Sequence, residues 1–465
     1  MNFLYILLAL FIFGILIFIH ELGHFLVARW CGVKILEFAI GMGPKILSKK
    51  SKKSGTVYSL RLLPIGGFVS MLGENGMEAV QGSSEGDSDA DEDDEQTFFL
   101  NSDDGSTSDV SKNEQARFLS EEEAEHAYCN QSVWKRILIS LAGPLMNVIL
   151  GFLLMLVIVI GAGQNNLGTT KVTSFYVVYS AEESQYGFEK GDYVYTVNGE
   201  VINSFAQMKE AVSGDADGIW DVVVLRLNEE GTAYYKQPLN AISLGTATLE
   251  NNFVCSRSEQ SGLQVNDTIL KVNKTRVHTY YDLSYEIMNQ GYQAVDLTVL
   301  RNGEKLVLEN VIFPNLVESG TTIGEIDFGI ELEDDFSIGT ILKHTWVRSV
   351  SMVKMVYDSL IGLFSGRYGM DAVSGPVGIT KTISDVAKTG ILNIFALMSI
   401  ISINLGIMNL LPFPALDGGH LLLYAVEIIR RKPVKKEVEG IINFIGLVIL
   451  LTLAVIIAIK DIIAL

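Results

Sequence analysis

Cysteine is nearly absent from this chain: Cys31, Cys129 and Cys255 are the three in 465 residues, and no two form a C-x-x-C pair. No disulfide framework is expected, and cysteine is not expected to ligate a metal. Charge is also scarce, at 19% of residues against 48% hydrophobic, and the mean hydropathy of +0.31 is too high for an average soluble protein. The first apolar run lacks the basic segment that opens a secretory signal, and cleavage behind it would discard the histidines described below, so it reads as retained. Acidic and histidine side chains are few along the apolar runs, which argues against a metal transporter.

What is present is a set of runs long enough to cross a bilayer: Phe3 to Trp30, Ile137 to Ala162, a proline-interrupted run from Ile391 to Leu411, and Ile441 to Ile459. Lys and Arg cluster on alternate sides of them. Arg29, Lys34, Lys45, Lys49, Lys50, Lys52, Lys53 and Arg61 follow the first run, Lys135 and Arg136 precede the second, and Arg430, Arg431, Lys432, Lys435 and Lys436 lie between the third and fourth. The positive-inside rule puts those loops in the cytoplasm and both termini, with the long segment after the second run, on the other side. The net charge of -19 is a local matter, because 18 acidic residues against Lys112 and Arg117 between Glu74 and Glu125 carry -16 of it. That stretch, with its Phe98-Phe99-Leu100 island, reads as a disordered cytoplasmic insertion serving as a spacer or a partner site.

Between the runs, Val57 to Met71 reads as two short strands around a Pro64-Ile65-Gly66-Gly67 turn, a hairpin that is either scaffold or a docking edge for an extended substrate. Farther on, the segment from Gly187 to Gly199 recurs in register from Gly262 to Lys274, each copy followed by a helix-like and then a strand-like stretch. The Gly-x-x-x-x-Asp turn, alternating strand and Val-Asn-Gly resemble PDZ domains, which either take an extended peptide on a sheet edge or here act as a steric plug. Phe336 to Phe364, with His344, Trp346, Arg348 and Lys354 among apolar residues, suits a helix lying at the membrane interface.

The chemistry is written into the first apolar run. His20-Glu21-Leu22-Gly23-His24 is an H-E-x-x-H motif: two imidazoles four residues apart share one helix face and can hold Zn²⁺, with the intervening Glu as a base. Ionisable groups at membrane depth call for a functional reason. A catalytic zinc needs a third protein ligand, and Asp417 is the standout candidate. It ends a stretch from Asn409 in which Pro412 and Pro414 break the helix and Gly418-Gly419 permit close backbone approach. His420 reads as a supporting residue rather than a fourth ligand, while the lone His126, His278 and His344 read as surface residues. Asn147, in Gly143-Pro144-Leu145-Met146-Asn147, and Asn404 serve either the substrate path or helix contact.

H-E-x-x-H in the first apolar run, combined with N-x-x-P-x-P-x-L-D-G-G-H in a late one, resembles the site-2 protease family of intramembrane zinc metalloproteases, and within it the bacterial regulator-of-sigma-E type with PDZ domains. The acidic insertion and Lys274, where the first copy has Gly199, depart from that pattern. The resemblance implies His20, His24 and Asp417 as zinc ligands, Glu21 as general base, and substrate contacts from Asn409, Tyr58, Leu60, Gly66 and Gly67. It implies a multi-pass protein of the bacterial cytoplasmic membrane, its active site towards the cytoplasm and its PDZ pair extracytoplasmic. Substrates would be single-pass membrane proteins, such as trimmed anti-sigma factors or remnant signal peptides. Partners would be those substrates, the lipid bilayer and peptide ligands of the PDZ modules, with no nucleic acid. The rival reading is a non-proteolytic membrane PDZ scaffold with a structural metal site, against which the retained Glu21 speaks.

The expected architecture is therefore a polytopic α-helical membrane protein of about four transmembrane helices, with a membrane-associated β-hairpin and extracytoplasmic tandem PDZ-like α+β domains. By residue, the first helix and hairpin take 1–73, the acidic insertion 74–130 and the second helix 131–163. The two PDZ-like modules take 164–245 and 246–316, and a linker with the interfacial helix takes 317–390. The third helix with its LDG motif takes 391–425, a basic cytoplasmic loop 426–440 and the fourth helix 441–465.

Overall fold

The computed structural model describes residues 3–74, 121–182, 186–213, 220–228, 234–242, 252–318, 321–367, 369 and 373–463. Most of the acidic insertion, including Phe98 to Leu100, lies outside the described residues. Two compact units divide the chain: Met1–Leu150 with Gly375–Asp385 and Ile401–Leu465, and Gly151–Ser374 with Val386–Ile400.

The first unit is built on long apolar helices. α1 (Phe3–Trp30) is followed by β1 (Ile35–Lys50) and β2 (Val57–Met71), then by the short α2 (Glu121–Glu125) and by α3 (Val133–Ala162), which continues into the second unit. The stretch 121–130, expected to be part of the insertion, is ordered: α2 and a single 3-10 turn at Tyr128–Asn130 dock through hydrogen bonds from Lys34 N to the His126 carbonyl and from Tyr128 N to the Leu72 carbonyl. Four helices are long and apolar enough to cross a membrane, by length and composition: Leu4–Trp30, Val133–Ala162, Ile391–Asn409 and Glu437–Ile463. Small residues set their approach. A Cβ at Gly23 would lie 2.4 Å from the Ala142 carbonyl oxygen, and one at Gly406 would lie 2.7 Å from that of Pro144. The Ser402 hydroxyl donates to the Asn147 carbonyl at 2.7 Å, joining α9 (Ile391–Asn409) to α3.

The segment 391–425 is two helices rather than one. α9 ends at Asn409, the chain turns through the two prolines, and a new helix, α10, runs Asp417–Arg430 before α11 (Lys436–Ile463). Proline cannot donate the hydrogen bond that a continuing helix needs, which is why the break falls there. The returning turn packs tightly on the start of α10: a Cβ at Gly418 would lie 2.1 Å from the Leu411 carbonyl oxygen, and one at Gly419 2.5 Å from that of Phe413.

The hairpin also differs from expectation. The two runs of β2 do not pair with each other but flank β1. Residues 37–40 are in register with Ser70 to Gly67 on one side and with Val57 to Leu60 on the other, and Val57 to Leu60 in turn face Lys50 to Leu47. Each long strand thus bends into two, giving the lateral order 47–50, 57–60, 37–40, 67–70 with 67–70 at an edge. Phe38 of this sheet packs edge-on against Phe25 and Phe18 of α1, at ring separations of 5.1 and 5.9 Å.

The second unit holds two sheet modules that are interleaved rather than sequential. One has the strand order β8-β7-β5-β4-β9 and the other β13-β12-β10-β3-β16. β4 (Val177–Tyr179), β5 (Tyr193–Val197), β7 (Trp220–Leu227), β8 (Tyr234–Ile242) and β9 (Phe253–Cys255) form the first, with β6 (Glu200–Val201) beside β5 and helix α4 (Phe205–Ser213). β10 (Thr268–Val272), β12 (Val295–Arg301) and β13 (Glu304–Val311) of the second are completed by β3 (Gly168–Phe175) and β16 (Phe328–Leu332), from either side in sequence; β11 (Thr275–Arg276) and the helices α5 (Arg257–Gln260) and α6 (Tyr280–Gln290) lie between. The boundaries 164–245 and 246–316 therefore cut across the sheets. The repeat itself is physical. Arg226 bonds Asp192 and the Gly187 carbonyl, while Arg301, 75 positions on, bonds Asp267 and the Gly262 carbonyl. Asn198 and Asn273 sit at φ 49° and 50° in matching left-handed turns, a conformation Asn tolerates better than most residues.

A two-strand ribbon of β14 (Asn315–Glu318) and β15 (Thr321–Gly324) precedes β16, and α7 (Ile338–Phe364) follows it, with α8 (Pro376–Ala387) leading to α9. His344, read from sequence as a surface residue, is buried within α7 at 1% exposure and bonds Glu333 at 3.0 Å. His126 and His278 are exposed.

Candidate metal and active site

α1 places His20 and His24 one turn apart, both buried, with Nε2 atoms 3.2 Å from each other. Asp417, the first residue of α10, reaches them from a segment nearly 400 residues away. Its Oδ2 is 3.2 Å from His20 Nε2 and its Oδ1 3.5 Å from His24 Nε2. The three donor atoms lie within 4.8 Å of one another, the one such group of three or more His, Cys, Asp or Glu among the described residues. Two imidazoles and a carboxylate match a catalytic zinc site, which keeps a further position open for water or substrate.

Whether the histidines can ligate depends on which ring nitrogen carries the proton. His24 Nδ1 lies 2.8 Å from the Ile139 carbonyl, which only accepts, so Nδ1 is protonated and the Nε2 lone pair is free for a metal. His20 faces Asn147, which is fully buried on α3. The Asn147 Nδ2 lies 3.3 Å from His20 Nδ1, yet its Oδ1 has no hydrogen-bond partner. Turning the amide by about 180° puts the acceptor Oδ1 against His20 Nδ1–H, which satisfies the orphaned oxygen and frees His20 Nε2 as well. Both rings then present lone pairs to the point that Asp417 faces, so the residues fit a zinc ion.

Glu21 faces the same cavity, which has a volume of about 250 Å³. Its carboxylate accepts a hydrogen bond from the Val69 backbone, and a Cβ at Gly67 would lie 3.1 Å from Glu21 Cγ and 2.9 Å from the Ala39 carbonyl oxygen. The edge strand of the hairpin sheet thus runs directly past Glu21. Phe68, Tyr128, Ser140, His420, Tyr424 and Glu439 contribute to the remaining wall.

The residues expected to touch substrate separate into three places. Gly67 packs beside Glu21 behind the cavity lining, with Gly66 preceding it at φ 89°. Tyr58 and Leu60 instead line an apolar pocket of about 630 Å³ with Phe18, Leu22 and Phe25, on another face of α1. Asn409 ends α9 and does not line the metal cavity. Two residues of the second run had no assigned role in the chemistry and prove central to the geometry. Asn147 orients His20, and a Cβ at Gly143 would lie 2.2 Å from His24 Nε2, so only glycine leaves that ring in place. The spacing Gly143 to Asn147 puts both on one helix face, a signal that names no target until α3 is seen against α1.

The model of peptidase family M50 matches residues 8–453. The chain belongs to peptidase family M50, the site-2 protease family of zinc metalloproteases. It is 30% identical over 97% of its length to the regulator of sigma-W protease RasP of Bacillus subtilis, of which the alignment covers 96%. The zinc metalloprotease RasP of Bacillus licheniformis is 28% identical, with 97% of each chain covered. That of Geobacillus kaustophilus is 29% identical over 97% of this chain and 96% of its own. Family membership and four membrane-length apolar helices make this M50 member a membrane protein.

Proposed function

We propose that this M50 peptidase cleaves transmembrane segments of single-pass membrane proteins, with His20, His24 and Asp417 holding zinc and Glu21 acting as general base. The observation that carries this reading is that Asp417 meets His20 and His24 beside Glu21 on a helix of membrane-spanning length. Zinc, when bound, supplies a Lewis acid that polarises the scissile carbonyl and eases deprotonation of water. Glu21 takes the proton from the attacking water and returns it to the leaving amine as the C–N bond breaks. A helical substrate has its carbonyls engaged in intrahelical bonds, so it must unwind before cleavage. The sheet edge at 67–70 offers backbone groups to the unwound strand, and Gly66 and Gly67 let that strand come close to Glu21.

The finer substrate class follows the resemblance and the name of the Bacillus subtilis relative, a regulator of sigma-W: trimmed anti-sigma factors, with remnant signal peptides as a second group. The alternation of Lys and Arg supports an active site towards the cytoplasm, with the two sheet modules on the opposite side as PDZ-like filters against bulky substrates. The test is reconstitution of the full chain in vesicles with a single-pass substrate. Wild type cleaves and Glu21→Gln does not; equal cleavage by both would defeat the reading.

A further inference from the structure

His420 lies three residues after Asp417 on α10, so the two side chains share a face, and both line the metal cavity. It is not one of the three clustered donors. Its Nδ1 is 3.2 Å from Glu439 Oε1 of α11, and its ring stacks on Tyr424 at 6.4 Å with 28° between planes. Tyr424 is itself held, its hydroxyl 2.6 Å from that of Tyr128 and its ring beneath the Arg136 guanidinium at 5.0 Å. The imidazole is therefore fixed from two sides before any substrate arrives. The Glu439 carboxylate accepts the Nδ1–H of the ring, and Glu74 faces the same cavity.

We propose that His420 is a further catalytic residue, an electrophile whose Nε2–H donates a hydrogen bond to the oxyanion that develops on the scissile carbonyl, and that Glu439 positions it. The proposal rests on the protease reading above. In the step, water oxygen bonds to the carbonyl carbon, Glu21 receives the water proton, and the carbonyl electron pair moves onto oxygen opposite His420. When the carbonyl re-forms and the C–N bond breaks, Glu21 hands its proton to the amine. His420 keeps its Nε2–H throughout, so its contribution is a pre-oriented hydrogen-bond donor on the cavity wall, the kind of group that stabilises the transition state more than the ground state.

The test compares wild type, Glu21→Gln, His420→Ala, His420→Gln and Glu439→Gln as full-length protein in vesicles. Three quantities are read: zinc per chain, kcat and KM on a single-pass substrate, and affinity for a phosphinic peptide that mimics the tetrahedral oxyanion. His420→Ala is expected to hold one zinc with an unchanged KM, to lose about 10²- to 10³-fold in kcat, and to bind the phosphinate correspondingly more weakly. His420→Gln, which offers an amide N–H, recovers part of the loss, and Glu439→Gln lies between wild type and His420→Ala. Loss of zinc from His420→Ala would overturn the proposal by making His420 a metal-holding residue. Full kcat and full phosphinate affinity in a zinc-loaded His420→Ala would overturn it while leaving the protease reading intact. Equal cleavage by wild type and Glu21→Gln would overturn both.

Discussion

Gly143→Ala should strike the histidine pair while leaving the helix that carries it intact, because a single methyl group favours the helix and displaces the His24 ring. Residue 143 lies inside α3, where alanine is a better helix former than glycine by about 1 kcal/mol. Yet the new Cβ would stand 2.2 Å from His24 Nε2, 2.7 Å from Cε1 and 2.8 Å from Cδ2, against an ordinary contact that begins near 3.4 Å. The ring must retreat by about 1 Å, far more than the ~0.2 Å over which zinc–ligand distances vary, and misplacement on that scale costs about 100-fold or more in rate. The bond from His24 Nδ1 to the Ile139 carbonyl pins the other side of the ring, so it cannot withdraw freely. The expected result is a variant with unchanged helicity whose zinc affinity and cleavage of a reconstituted substrate both collapse, the helix gain of about 1 kcal/mol offsetting part of the packing cost. Gly23→Ala serves as the contrast: its Cβ meets the Ala142 backbone rather than a ligand, so overpacking of about 1–3 kcal/mol should appear as lost stability. Should Gly143→Ala carry one zinc at wild-type affinity and cleave normally, the geometry argued for the metal centre is wrong.

Asp417→Ala should remove the carboxylate donor and with it both tight zinc binding and cleavage, measured as metal per chain after dialysis against a weak chelator. Asn147→Leu should leave His20 Nδ1–H without its acceptor and weaken zinc about 10- to 100-fold by chelator competition, while unchanged affinity would remove Asn147 from the metal site. Gly67→Val should suppress cleavage with zinc content intact, since its side chain fills the space between Glu21 and the edge strand. In the second unit, Arg301→Leu strips its partner from Asp267, which is 0% exposed, and should cost about 3–5 kcal/mol locally, read as faster hydrogen exchange across β10 and β12 in the full chain. Unchanged exchange there would mean the ion pair is not what holds that turn.

Much of this was legible from local pattern. A run such as 3–30 can satisfy its backbone in a membrane only as a helix, so its structure follows from composition, and the 3.6-residue period then places His20 and His24 on one face. The repeat at an offset of 75 residues was legible because the same turn needs the same Asn, Asp and Arg twice. The two prolines after Asn409 announced a break, though not that the chain would resume as a separate helix on the far side of it.

What sequence could not determine is whatever depends on which surfaces meet. Strand pairing has a two-residue side-chain period but carries no address, so the double use of 37–40 in the hairpin sheet and the sharing of β3 and β16 across an inserted module could not be read from the strands themselves. Gly143 and Asn147 belong to the same class, being small and polar residues whose meaning lies in what packs on them. The sequence alone determined that two histidines and a glutamate in metal-ligand spacing sit together on a membrane-length helix. Only the tertiary structure decided that Asp417 reaches them, that Asn147 and the Ile139 carbonyl face their Nδ1 atoms, and that His420 lines the same cavity, because those distances are created by packing helices that are far apart along the chain.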